Sequence, residues 1–190
     1  MKEQSGEFEV WPHGDAIDVM LAHHLVVREQ LQHLRALDFD VAQRDADSLD
    51  EAVHLATTAI DLLGREGELH AFDEEALLFP TMREALGGSE SAILEALDRV
   101  DAEHEVLRPL WSRLETYLSR LTTDEAFSVG DLHLVRQELE ECVLQHLHFE
   151  ERIVYPEARR LLGPELLREM LIRMRAHRRM PSERAFVAVP

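Results

Sequence analysis

The chain has 190 residues, 45% apolar and 31% charged, the balance of one globular domain with a sizeable core. A formal net charge of −18 excludes a nucleic-acid backbone as partner, because phosphates are bound by clustered Lys and Arg. The single cysteine, Cys142, excludes an internal disulfide framework and a CxxC metal site; with no leader-type N-terminus and no apolar run of about 18 residues, a cytoplasmic protein without membrane contact is expected.

Residues 1–14 are polar, contain Pro12 and Gly14, and read as an arm. Asp15 then caps a helix expected to run to about Leu37. DFDVAQRDAD (38–47) reads as a loop. Ser48 and Glu51 fit a capping box and open a second helix, which runs to Pro80; after MREAL, Gly87-Gly88 is a stop signal. A third helix spans 91–121, and TTDEAFSVGD follows as a loop. The fourth runs from about Asp131 to Tyr155, ahead of Pro156. Gly163-Pro164 punctuates, ELLREMLIRMRAHRR forms a short fifth helix, and 181–190 reads as a tail. Helix formers dominate and Gly and Pro are sparse, so the fold class is all-α. Four long helices joined by short loops make an up-down-up-down four-helix bundle with a short additional C-terminal helix, over 15–180.

Each long helix carries an apolar seam at alternating steps of three and four. Helix one has Ile17, Met20, His24, Val27, Leu31 and Leu34; helix two has Ala56, Ile60, Leu63, Gly67, His70, Glu74 and Leu77. Helix three has Ile93, Leu97, Val100, His104, Leu107, Trp111 and Leu114; helix four has Leu132, Val135, Leu139, Val143, His146, Glu150 and Ile153. Histidine interrupts all four seams, and glutamate interrupts two. A buried carboxylate without a partner is costly, so these six side chains need compensation, from one another or from cations. Imidazole and carboxylate together suit transition-metal ions, and residues four apart on a helix point the same way.

The spacing repeats. HAFDEEALLFP (70–80) and HLHFEERIVYP (146–156) share the pattern HxxxEExxx[FY]P, and they hold the only two HxxxE matches in the chain. Arg83, Leu86 and Gly87 match Arg159, Leu162 and Gly163, while HHLVVR (23–28) aligns with EHEVLR (103–108) and sets His24 opposite His104. The chain reads as a duplicated helix pair, with two equivalent metal positions.

At these residues the chain resembles the hemerythrin-like (HHE) cation-binding family over about residues 15–160, and the trailing segment resembles a fifth helix common there. The resemblance implies a non-heme di-iron centre: His24 and His70 on one iron, His104 and His146 on the other, Glu74 and Glu150 bridging, and an oxo or hydroxo bridge from solvent. The oxygen carriers of that family place HxxxH on the third helix, whereas here Arg108 follows His104 by four and Val100 precedes it by four. Each iron then keeps a vacancy, which suits reaction with or sensing of small diatomics (oxygen, nitric oxide) or peroxide, in detoxification, sensing or iron handling. Oxygen or iron storage without turnover is the alternative, and a metal-free or zinc-filled interaction protein is a third reading. The partners implied are small molecules; the oligomeric state is not legible.

Bland readings stand beside these. Glu74 and Glu150 can instead pair with Arg28 or Arg108. Glu75 and Glu151 are either partners of a ligand histidine or solvated surface. His23 reads as a flank residue, and His33, His54, His133 and His148 as surface. Phe79-Pro80 and Tyr155-Pro156 read as helix terminators or kinks that bind nothing, Pro109 as a kink in helix three. Trp111, Tyr117 and Cys142 read as core, and Arg173, Arg175, Arg178 and Arg179 as complements of the last helix's dipole.

Overall fold

The computed structural model describes residues 14–43, 46–87, 92–123 and 125–178, without side chains for 38–48. The arm up to residue 13, the tail, Arg179, Ser91, Gly88 and the Ser48 half of the capping box lie outside the described residues. The chain is all helical, with no strand among the described residues.

Helix α1 spans Ala16–Gln43. Its start is a reciprocal box: Asp15 Oδ1 accepts the amides of Ile17 (2.9 Å) and Asp18 (3.1 Å), and Asp18 Oδ2 accepts that of Asp15 (2.9 Å). The expected loop at 38–47 is corrected at its described positions: α1 continues to Gln43 and the next helix starts at Ala46, with 44–45 outside the described residues. DFDVAQ holds neither Gly nor Pro, so nothing interrupts the hydrogen-bond ladder.

Helix α2 covers 46–86 and does not end at Pro80. Two π turns, Ile60–Gly64 and Asp73–Leu78, divide it, and Gly87 closes it in the left-handed region (φ 62°). Helix α3 spans Ala92–Thr122 as one α-helix with Pro109 inside. Helix α4 covers 129–162, opened by the Ser128 side chain accepting from the Asp131 amide (3.2 Å), and carries a π turn at Glu150–Val154. It does not end at Tyr155. Gly163 (φ 68°, ψ 169°) breaks it before Pro164, and α5 occupies 164–178. Each of Pro80 and Pro156 falls in the first turn after a π turn, where a missing N–H is tolerated.

The π turns correct the seams. One extra residue per turn buries Leu78 and Val154, both 0% exposed, while Leu77 stays half-buried against the same cluster and Ile153 is 43% exposed. Helix α1 packs against α2 and α4, and α3 against the same two. The buried apolar residues form two clusters. One holds Met20, Leu78, Val100 and Val154; the other holds Val27, Ala59, Leu114 and Leu139. Between them on each helix fall the histidines and glutamates, a polar layer enclosed by two apolar ones. No described helix is long and apolar enough to cross a membrane.

The duplication shows in the ion pairs too. Arg83 reaches Asp98 (2.7 Å) and Asp101 (2.8 Å), and Arg159, its counterpart, reaches Asp18 (2.5 Å) and Asp15 (3.4 Å).

Candidate metal centre

All six side chains singled out in the sequence meet in the enclosed layer. His24, Glu74 and Glu150 are 0% exposed, and His70, His104 and His146 are 4–5% exposed. The ε-nitrogens converge in pairs: His24 to His70 at 3.1 Å, and His104 to His146 at 3.2 Å. Glu150 lies among both pairs, with Oε2 3.3 Å from His24 Nε2 and Oε1 3.1 Å from His146 Nε2. Glu74 Oε2 is 3.4 Å from His104 Nε2 and 3.7 Å from His70 Nε2. Two donor groups result, His104 and His146 with Glu74 and Glu150, and His24 and His70 with Glu150.

These distances fit metal ions. Two nitrogens held about 2.1 Å from one ion at a right angle lie about 3.0 Å apart, close to both observed pairs. Glu74 Oε2 and Glu150 Oε1 are buried, and they face only the converging imidazoles, His104 at 3.4 Å and His146 at 3.1 Å, with no other donor in reach. A buried carboxylate oxygen so placed marks a place for a cation. The salt-bridge alternative fails, because the arginines go elsewhere. Arg28 is bound to Glu151 (2.7 and 3.0 Å), and Arg108 to Glu75 (2.5 Å).

That pairing decides the roles of Glu75 and Glu151. Glu151 Oε1 is 2.9 Å from His24 Nδ1, and Glu75 Oε1 is 2.7 Å from His104 Nδ1. Each carboxylate fixes the proton on Nδ1 and so aims the Nε2 lone pair into the layer. Sequence reading missed a third such residue. Glu103 Oε2 sits 3.0 Å from His146 Nδ1, backed by Arg99 at 2.7 Å. The internal alignment already set Glu103 opposite His23, so the signal was present. His70 lacks such a partner: its Nδ1 has no hydrogen bond, and His23 stacks on its ring at 4.5 Å. His23 is therefore packed against the site rather than a mere flank. His33, His54 and His148 are exposed, and His133 is half-buried.

Tyr155, read as part of a terminator, belongs to the site. It is 2% exposed, and its hydroxyl donates to Glu74 Oε1 at 2.7 Å while lying 3.0 Å from His24 Nε2 and 3.4 Å from His70 Nε2. Arg178, in the last turn of α5, also crosses to α2 to bind Asp73 (2.8 and 3.1 Å) and Glu66 (2.8 Å).

Without metal the layer is electrostatically uneven. Burial disfavours the charge on His146, but Glu150, Glu103 and Glu74 outweigh it and lift the imidazole to about 10. Burial drives His70 well below its usual range. For Glu150, burial pushes upward, yet His146 overrides it and holds the carboxyl well below the carboxylate range. Burial and the neighbouring Glu150 raise Glu74. Burial, then Glu150 and Glu74, raise the Tyr155 phenol well above its ordinary value.

The family model described as Hemerythrin HHE cation binding domain matches residues 15–158 and 95–180. Neither the curated proteins nor the solved structures give a match.

Proposed function

The chain belongs to the Hemerythrin HHE cation-binding family, and from that premise we propose that it is a non-heme di-iron protein. Its helices form an up-down-up-down four-helix bundle. His24 and His70 hold one iron, His104 and His146 the other, and Glu74 and Glu150 bridge them. It reacts with or senses oxygen, peroxide or nitric oxide in the cytoplasm. The observation that carries this reading is the pairing of ε-nitrogens at 3.1 and 3.2 Å about two buried carboxylates, each with one oxygen that faces only imidazole nitrogens. Iron bound there supplies a change of oxidation state and positions open to small ligands.

The protein's own contribution is orientation and exclusion. Glu151, Glu75 and Glu103 hold three imidazoles in the tautomer that binds a cation. The two apolar clusters close the layer above and below, admitting small neutral molecules over large polar ones. A groove of about 600 Å³ lined by Leu21, Ala22 and Leu25 is walled in part by Arg28 and Glu151, the ion pair behind His24.

Elemental analysis of protein expressed in iron-rich medium tests the metal: two irons per chain are expected, and zinc alone or a stoichiometry near one overturns the reading. Steady-state peroxide consumption by the iron-loaded protein separates turnover from storage.

A further inference from the structure

We propose that the phenol oxygen of Tyr155 is a protein ligand of the metal held by His24 and His70, and that the two metal positions are unequal as a result. The proposal rests on the di-iron reading above and goes beyond it.

Position is the first support. The Tyr155 oxygen is not at the rim of the donor set but inside it, 3.0 and 3.4 Å from two ε-nitrogens and 2.7 and 3.5 Å from oxygens of Glu74 and Glu150. Hydrogen-bond accounting is the second. A phenol has one proton, and Glu74 Oε1, the nearest acceptor, takes it. In neutral His24, Nδ1 carries the ring proton toward Glu151, so Nε2 offers a lone pair. The phenol oxygen therefore faces His24 Nε2 lone pair to lone pair, a contact that a cation between them turns from repulsive to attractive.

Internal comparison is the third. The counterpart of Tyr155 in the repeat is Phe79, 0% exposed, with its ring 6.4 Å from that of His104. Both halves bury an aromatic ring beside the layer, and one alone adds an oxygen. On binding, the phenol oxygen would exchange its proton for the metal, with one proton per chain released to solvent. The His24/His70 metal then has one protein ligand more than the His104/His146 metal, so the exchangeable position lies on the latter.

The test uses the full chain loaded with iron and oxidised to the ferric state, as wild type, Tyr155→Phe and Tyr117→Phe; these are its two tyrosines. Expected for wild type are two irons, a visible phenolate-to-iron charge-transfer band with tyrosine ring modes in resonance Raman, and one azide bound per chain. Tyr117→Phe keeps the band. Tyr155→Phe keeps two irons, loses the band and binds a second azide. Wild type with two irons and no phenolate band overturns the proposal while leaving the di-iron reading intact. So does a band that survives in Tyr155→Phe or vanishes in Tyr117→Phe. Wild type that takes up no iron overturns both. Should Tyr155→Phe release iron, the wild-type and Tyr117→Phe spectra still decide.

Discussion

Glu151→Ala removes the carboxylate behind His24 and separates orientation of the site from stability of the fold. In the folded protein Glu151 has two partners, His24 Nδ1 at 2.9 Å and Arg28 at 2.7 Å. The Glu151 and Arg28 side chains are 26% and 31% exposed, so their pair contributes no more than about 1 kcal/mol to folding. The bond to His24 matters more, because it fixes the ring that presents Nε2. Loss of such a partner typically weakens metal binding by about 10- to 100-fold, roughly 1.4–2.7 kcal/mol. The structure places this case at the upper end. His70, the other imidazole of the pair, has no hydrogen bond at Nδ1, so Glu151 is its pair's one orienting carboxylate. The opposite pair has two, Glu75 on His104 and Glu103 on His146. Glu75→Ala leaves Glu103 in place and is expected nearer 10-fold, Glu151→Ala nearer 100-fold. Chelator competition on metal-depleted protein reads both affinities, and urea unfolding of the metal-free variants reads the fold. The reasoning is refuted if Glu151→Ala holds both ions as tightly as wild type, or if Glu75→Ala is the more damaging.

Replacing Glu74 or Glu150 by Ala is expected to remove both metals, whereas His24→Ala mainly weakens one; elemental analysis of each purified variant distinguishes them. Metal-free protein is expected to be most stable near pH 6.5. Above it, folded His146 keeps a proton that the unfolded chain has lost, so stability falls as pH rises from 6.5 toward about 10. Below it, the unfolded chain protonates His23 and His70, which burial keeps neutral in the folded protein, so stability falls again. Metal displaces the His146 proton, so urea midpoints of the loaded protein should lack the alkaline fall. Arg178→Ala strands the fully buried Asp73 and is expected to cost about 3 kcal/mol in urea unfolding, with Arg178→Ala/Asp73→Asn recovering part of it.

Periodicity made the seams legible, and the repeat made the six site residues legible, because residues at three and four share a helix face whatever they later touch. Two kinds of feature escaped. The first was local: DFDVAQRDAD reads as a loop, yet it holds neither Gly nor Pro, and its described residues 38–43 and 46–47 are helical. Likewise Pro80 and Pro156 looked terminal because a π turn leaves no compositional mark, and that turn sets Leu78 and Val154 as the fully buried residues, with Leu77 half-buried and Ile153 exposed. The second kind was tertiary. Glu103 lies on α3 and its histidine on α4, so no spacing rule joins them. Only the alignment of EHEVLR with HHLVVR flagged its position.

The departures from internal symmetry that fall at the site act in one direction. Beside the His24/His70 pair stand His23, stacked on His70 without a carboxylate for its Nδ1, and the hydroxyl of Tyr155. Beside the His104/His146 pair stand Glu103, oriented on His146, and the phenyl ring of Phe79. The first pair thus gains an oxygen donor and loses an orienting carboxylate; the second keeps its orienting carboxylates and has no such donor. On the di-iron and Tyr155 proposals, a metal at the second pair would be held by well-oriented imidazoles yet be short of one protein ligand, the condition for binding a small external molecule. Phe79 shapes that approach with a surface that neither coordinates nor hydrogen-bonds. Phe79→Tyr should therefore cut azide or nitric oxide binding at the His104/His146 metal while the iron content stays at two. Unchanged uptake of both ligands in that variant would place the open position elsewhere.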